Sequence, residues 1–336
     1  MDSLIEAPLV CICIPNYNNE TTLSQTLDSL VNQTYKNIII QVFDNASTDK
    51  SVCILRKYEE KYTNIEVFYN EKNIGGEANF SKCIEHMKGD FSAIYHSDDV
   101  YMPTIVEEEV LALLEHDISA VFTGGCVIDG SGRVTGNIKI PKEFMHTDGF
   151  FKLSFIELIF SNLKNDNFLI CPTAMAKTKV YTDVIGQWDG RNYKTAADVD
   201  IWLRFAELNS IGVITKHLIK YRLSKNSFSF RRLKTRVSSK DFFLVMDDYI
   251  SRTDVNKKVS KRLHDNYCFL KFKDHVVIER NSIINGIVTS NNIDIDFVVM
   301  KQSFDSFKNF LCVFAAILFK VFNYNKLLSR FVRLFK

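Results

Sequence analysis

Residues 9–127 alternate between short apolar runs and amphipathic stretches, and that alternation leaves few folds open to the chain. Positions 9–14, 38–43, 65–69, 91–95 and 119–127 read as strands, several of them rich in Ile, Val and Phe. Between them, 20–33, 49–61, 75–87 and 103–115 read as helices, with Leu23, Leu27 and Leu30 at helical spacing in the first. Local signals mark the ends. Ser47 or Thr48 caps the second helix, Lys88-Gly89 stops the third, and Pro103 opens the fourth. Strand and helix alternating four times predict an α/β fold, a mostly parallel sheet with helices on both faces. Past 130 the pattern is mixed: 150–160 reads as helix, 168–176 as strand, and 198–208 as a helix with Ile201, Trp202 and Phe205 inward. Helical patterns take over after about 230. The expected organisation is a domain over 1–230 and a mostly helical region over 231–336.

In an open sheet of this kind, ligands bind beyond the carboxyl ends of the strands. The residues there are Pro15-Asn16-Tyr17-Asn18, Asp44-Asn45-Ala46-Ser47, the stretch 70–76, and His96-Ser97-Asp98-Asp99. No Gly-x-Gly-x-x-Gly follows the first strand, and there is no Gly-Lys-Ser/Thr loop, so backbone amides are not arranged to cradle phosphate. The rim offers carboxylates instead. Carboxylates repel a bare diphosphate and bind one through a divalent cation, for which Mg²⁺ or Mn²⁺ suits oxygen ligands. Asp98-Asp99 is therefore a candidate metal site, or else a pair of caps for the helix that follows. Asp44 is either an acceptor for the ring N–H of a nucleotide base, with Tyr17 stacking on that base, or a turn aspartate.

These motifs carry a resemblance. Pro15-Asn16-Tyr17-Asn18, Ser29-Leu30-Val31-Asn32-Gln33-Thr34-Tyr35, Asp44-Asn45-Ala46-Ser47-Thr48-Asp49, Asn73-Ile74-Gly75-Gly76-Glu77-Ala78-Asn79 and His96-Ser97-Asp98-Asp99 resemble, in order, the opening of family 2 glycosyltransferases. Ile185-Gly186-Gln187-Trp188-Asp189 and Ala197-Asp198-Val199-Asp200-Ile201-Trp202-Leu203-Arg204 resemble the family's region around the catalytic acid, and Tyr221-Arg222 its closing strand. The resemblance covers about 8–230. It implies a GT-A (Rossmann-like) fold and inverting transfer of one sugar from a nucleoside diphosphate, UDP being expected. It also implies roles. Pro15, Tyr17, Asp44 and Asn73 would line the nucleotide site; Asp98 would support the ribose or the metal, and Asp99 would hold the Mn²⁺ or Mg²⁺. Asp198 would be the general base, with Asp200 its competitor, and either could instead be a helix cap. Trp188 and Asp189 are candidate acceptor contacts, Trp188 by sugar stacking or else as a core anchor. Three positions depart from the common pattern: His96 stands where many relatives have Asp, Ala197 where many have Glu, and Ser224 where many have His. His217 lies nearby and reads as structural.

Charge sharpens the expectation about partners. The chain has 42 Lys plus Arg against 40 Asp plus Glu, too balanced for a dedicated nucleic-acid binder. The cations are concentrated, however. Lys216, Lys220, Arg222, Lys225, Arg231, Arg232, Lys234, Arg236 and Lys240 follow one another with no acid between 216 and 240, either to hold a diphosphate or as a solvated helix face. After 319 come Lys320, Lys326, Arg330, Arg333 and Lys336 among Phe and Leu, again with no acid. That pattern suits a helix in an anionic membrane interface, or one docked on the protein's own core or a second copy. No apolar run reaches the ~18–20 residues that span a bilayer. Eight cysteines include no Cys-x-x-Cys and read as buried reduced thiols, which favours the cytosol. Residues 1–10 carry Asp2 and Glu6 and no basic stretch, so a secretory signal is not expected.

The leading expectation is a peripheral membrane glycosyltransferase acting on a glycan or lipid-linked glycan acceptor in surface polysaccharide biosynthesis. The rival is a GT-A module that binds nucleotide sugar without turnover in a membrane complex. A nucleotidyltransferase lacks its Gly-rich basic loop here.

Overall fold

The computed structural model describes residues 7–145, 149–188, 190–223, 236–285, 295, 297–303 and 306–322 of the 336-residue chain. The chain divides into two compact units. The first comprises Met1–Leu158 and Phe168–Leu223, the second Ile159–Asn167 and Ser224–Lys336. The division at 223/224 lies near the expected 230, but the sequence pattern does not anticipate that 159–167 groups with the later residues.

The first unit is built on a ten-stranded sheet ordered β3-β2-β1-β4-β9-β6-β10-β5, with β7 paired to β6 and β8 to β10. Six strands run in one direction: β1 (Val10–Asn16), β2 (Ile38–Asp44), β3 (Ile65–Tyr69), β4 (Phe91–Ile94), β6 (Ala120–Ile128) and β10 (Ile211–Arg222). Four short strands oppose them: β5 (Val100–Tyr101), β7 (Val134–Asn137), β8 (Phe150–Leu153) and β9 (Met175–Lys177). The carboxyl ends of the six parallel strands share one edge, and every rim motif follows one of them.

Alternation along β1 shows why two helical layers form. Val10, Ile12 and Ile14 pack in one cluster with Leu23, Leu27 and Leu30 of α1 (Leu23–Val31), Leu55 of α2 (Ser51–Lys61) and Val106 and Val110 of α4 (Ile105–Glu115). Cys11 and Cys13 point the other way, where Cys13 Sγ approaches the carbonyl of Cys83 in α3 (Gly76–Glu85) at 3.6 Å. Period-two alternation thus places an apolar stripe on each face of the strand, and helices cover both. All eight cysteines are free; Cys53 alone is exposed, against the expectation of burial.

Several local expectations need correcting. The cap of α2 is neither Ser47 nor Thr48: Asp49 accepts the Ser51 N–H at 2.9 Å, while the Ser47 hydroxyl is taken up by Asp44. Residues 150–153 are strand β8, drawn into the sheet by antiparallel pairing with β10, before α5 (Phe155–Asn165) begins. Most of 168–176 is not strand; a 3-10 turn at Cys171–Thr173 leads into the three residues of β9. The register of β10 against β6 shifts between Ile214 and Ile219, opposite Gly124 and Gly125. A Cβ on Gly124 would lie 2.7 Å from the Thr215 carbonyl oxygen, so the close approach requires glycine.

The second unit is helical among its described residues: α8 (Phe242–Ser251), α9 (Thr253–Asn256), α10 (Lys261–Asn285), α11 (Phe297–Ser303) and α12 (Phe307–Phe322), α6 (Gly190–Tyr193) and α7 (Ala197–Leu208) belonging to the first unit. Phe269, Phe272, Val276, Val299, Val313 and Ala316 form its apolar cluster. Arg236 and Asp274 make a buried bidentate pair at 2.7 and 2.9 Å. No described helix is long and apolar enough to cross a membrane.

Candidate active site

Four rim segments meet at the carboxyl edge of the sheet. The first is the Asp44 loop. Asp44 is 1% exposed; its carboxylate accepts from Asn16 Nδ2 at 2.8 Å, from the Ser47 hydroxyl at 2.6 Å and from the Ser47 N–H at 2.9 Å. Three of about four acceptor positions on the carboxylate are therefore used in holding the turn. These bonds fix the turn 44–47. Tyr17, which follows β1, is 45% exposed, and Pro15 is half-buried.

Asn73 is exposed, and its carbonyl oxygen accepts from Asn45 Nδ2 at 3.1 Å and the Gly75 N–H at 2.8 Å. Asn45 also accepts from Asn70 and Ile74, and Asn79 donates to the Phe43 carbonyl. These amides bind the ends of β2 and β3 to the start of α3. Gly75 takes φ +89° there, a conformation that favours glycine.

The third segment is the loop after β4. His96, Asp98 and Asp99 present ligand atoms that all lie within 4.8 Å of one another, the one such His/Cys/Asp/Glu group among the described residues. Asp99 is fully buried; Oδ1 accepts the Arg222 N–H at 2.7 Å, while Oδ2 faces His96 Nδ1 at 3.8 Å and has no hydrogen-bond partner. His96 Nε2 is buried without a partner as well. Burial and the charge of Asp98 hold the Asp99 carboxyl well above the usual carboxylate range, against the opposing Arg222. Burial likewise lowers the His96 imidazole, which Asp98 partly offsets. A site with two unpartnered buried polar atoms beside a second carboxylate is short of positive charge. The residues thus fit a divalent cation, held by His96, Asp98 and Asp99. The cap reading of Asp98-Asp99 is not what the structure shows for Asp99, whose carboxylate goes to β10 rather than to α4.

Arg222 holds this loop. Its Nε donates to the Asp98 carbonyl at 2.6 Å, its Nη2 to Gln25 at 2.6 Å, and its Nη1 to the carbonyls of Asp129 and Gly130 at 3.1 and 3.3 Å. From the other side, the Thr26 hydroxyl donates to the Asp99 carbonyl at 2.7 Å, and the Tyr101 hydroxyl accepts the His96 N–H at 2.7 Å. In the sequence Arg222 reads only as part of a closing strand and of a basic stretch. The signal that finds it is an arginine ending an apolar strand, where a fork of donors can reach several loop carbonyls. Three other described members of that stretch are engaged too: Lys216 pairs with Glu108, Arg236 with Asp274 and Lys240 with Asp166. These three cations are held within the protein, and the expectation that 216–240 holds a diphosphate or is a solvated helix face otherwise rests on the remaining members. Lys225, Arg231, Arg232 and Lys234, with Ser224, lie outside the described residues. His217 is exposed on β10 and is not part of the His96 group.

The fourth segment is the start of α7. Asp198 is half-buried, and its Oδ1 accepts the Val199 N–H at 2.9 Å. Burial raises its carboxyl to about 6, against the backbone N–H groups of the helix start. Asp200, its competitor, lies 4.0 Å from Arg204. Cys171 connects Asp198 with the His96 group: burial holds its thiol up, and the charges of Asp198 and Asp99 push in the same direction. Phe80 makes a second link, edge-on to His96 at 5.7 Å and 4.6 Å from the Trp188 ring. Trp188 is 9% exposed and also meets Trp202 at 6.1 Å, while its backbone N–H donates to the Ser81 hydroxyl at 3.0 Å. That is the anchoring arrangement, not an open stacking platform. Asp189 lies outside the described residues. Trp202 is core, 2% exposed, as its spacing predicts.

The sequence pattern that defines glycosyl transferase family 2 matches residues 11–185, which reach from β1 to just before Trp188. The chain belongs to glycosyl transferase family 2. Among its relatives is the putative teichuronic acid biosynthesis glycosyltransferase TuaG of Bacillus subtilis, 25% identical over 275 residues, 81% of this chain and 98% of TuaG. Among solved structures, S. aureus TarS 1–349 in complex with UDP-GlcNAc superposes with a TM-score of 0.53 at 17% identity, covering 82% of this chain and 83% of that one. The mannosyltransferase PcManGT from Pyrobaculum calidifontis, in complex with GDP-Man and Mn²⁺, superposes with a TM-score of 0.55 at 15% identity, covering 95% and 88%. The fold of this glycosyltransferase is thus GT-A, as the resemblance implies.

Proposed function

We propose that this family 2 glycosyltransferase moves one sugar from a nucleoside diphosphate, UDP first among candidates, onto a hydroxyl of a glycan or lipid-linked glycan, with inversion at the anomeric carbon. The product would belong to surface polysaccharide biosynthesis, with the enzyme at the inner face of the cytoplasmic membrane. The observation that carries the reading is one rim holding both a cation-deficient His96-Asp98-Asp99 group and a carboxyl raised to about 6. A bound divalent cation would supply charge to the departing diphosphate. The Asp44 loop and Tyr17 would hold the base, and Asp98 the ribose or the cation. Asp198, ionised above pH 6, would take the proton of the acceptor hydroxyl as its oxygen forms the new glycosidic bond and the diphosphate oxygen leaves. TuaG's name, TarS with UDP-GlcNAc and PcManGT with GDP-Man and Mn²⁺ support the class of reaction, donor and metal.

The test is release of nucleoside diphosphate from a panel of UDP- and GDP-sugars with Mn²⁺ or Mg²⁺. One donor should turn over slowly by hydrolysis alone and stop with EDTA. Donor binding without any release, with or without a broad acceptor panel, would favour the rival binding module. Arg222 gives a second test. Arg222→Lys keeps the charge but loses the fork that ties Asp98, Gln25, Asp129 and Gly130 together. Partners that orient metal ligands are worth about 10–100-fold in metal affinity. Titration followed by Mn²⁺ EPR should show a loss in that range, with an unchanged Mn²⁺ affinity counting against this role.

A further inference from the structure

Among the described residues, helix α12 has two apolar faces, and only one of them is covered. Val313 and Ala316, 4% and 0% exposed, pack against Phe269, Phe272, Val276 and Val299 of the same unit. On the other side Phe307, Phe310, Leu311, Phe314, Ile317 and Leu318 are 75%, 49%, 46%, 49%, 40% and 36% exposed. At 3.6 residues per turn these six fall within an arc of about 120°, a continuous stripe with no charged residue in it. A helix buried against its own domain needs one apolar face, so the second requires a further partner.

We propose that this second face inserts into the interface of an anionic lipid bilayer. Charge selects the occupant. From 306 to 336 the chain carries Lys308, Lys320, Lys326, Arg330, Arg333 and Lys336 and no Asp or Glu. Two copies meeting through this stripe would bring two such sets of cations together, whereas anionic headgroups would neutralise them. The shape agrees. α12 runs over Phe307–Phe322, about 24 Å at 1.5 Å per residue, and no described helix is long and apolar enough to cross a membrane. A helix lying in the interface buries one face in the acyl boundary and keeps its cations among the headgroups. This rests on the membrane placement proposed above, to which it gives a surface, but not on the sugar-transfer chemistry; either can fail while the other stands.

The experiment is co-sedimentation of the full chain with vesicles of phosphatidylcholine alone or phosphatidylcholine with phosphatidylglycerol. The protein should pellet with the phosphatidylglycerol vesicles, at least ~10-fold more than with phosphatidylcholine alone, and less as salt rises. The triple variant Phe310→Ser, Phe314→Ser, Ile317→Ser alters exposed positions, so its thermal midpoint should hold while vesicle binding falls at least ~10-fold. A triple variant that unfolds is replaced by Lys308→Gln with Lys320→Gln, which should weaken binding to phosphatidylglycerol vesicles alone. Equal binding to both vesicle types, binding to neither, or variants that bind like the parent would overturn the proposal. A dimer by light scattering that the triple variant converts to monomer, without vesicle binding, would assign the face to a second copy.

Discussion

Asp198→Asn should lower turnover by about 10²–10⁴-fold, the range of a lost general base, while donor affinity stays close to the parent's. The substitution keeps shape and can keep the contact to the Val199 N–H through the amide oxygen. It removes only the capacity to take a proton. The pH profile should separate this from damage to the fold. With the Asp198 carboxyl at about 6, turnover in the parent should rise with pH through that value and level off above it. The residual rate of the variant should lack that acidic limb. Stability should move the other way. A folded-state value above the ordinary 3.8 means that the folded protein binds this proton more tightly than the unfolded chain, so ionising Asp198 costs stability as pH rises from about 4 to 6. Asn carries no such cost. The variant should unfold no earlier than the parent at neutral pH. A variant with normal rates would move the base elsewhere, first to Asp200.

Asp99→Asn should abolish metal-dependent activity and raise the thermal midpoint of the metal-free protein. Asp99 is fully buried, Oδ2 has no partner, and burial and Asp98 together penalise its charge. Asn can still accept the Arg222 N–H at the Oδ1 position and carries no charge. Relief of even ~1 kcal/mol would appear as ~2–4 °C in a domain of this size. A gain in stability with a loss of function is what a site held short of positive charge predicts. A neutral Asp99→Asn that keeps full activity would place the metal, and the leaving-group chemistry, away from this loop.

Much of this site was legible in the chain because strand ends are punctuated by residue types with few structural uses. Ile65–Tyr69 and the order of rim motifs followed from the alternation, and the alternation followed from burial on two faces. What was not legible depended on partners remote in sequence. β8 and β9 are three or four residues long and become strands only because β10, β4 and β6 offer edges to them. Arg222 reads as one cation among many until β10 delivers it to Asp98, Asp129 and Gln25. Trp188 reads equally as platform or anchor until Phe80 and Trp202 are seen against it. Turn chemistry also misled: Ser47 looks like a helix cap, but the buried Asp44 carboxylate is the stronger claimant for its hydroxyl.

A divalent cation held by His96, Asp98 and Asp99 would join this protein to a nucleoside diphosphate. Thermal unfolding with UDP or GDP, in Mn²⁺ or in EDTA, tests this directly. One nucleotide should raise the midpoint in Mn²⁺, EDTA should remove the rise, and Asp99→Asn should show none. A rise that survives EDTA, or that Asp99→Asn retains in full, would contradict it.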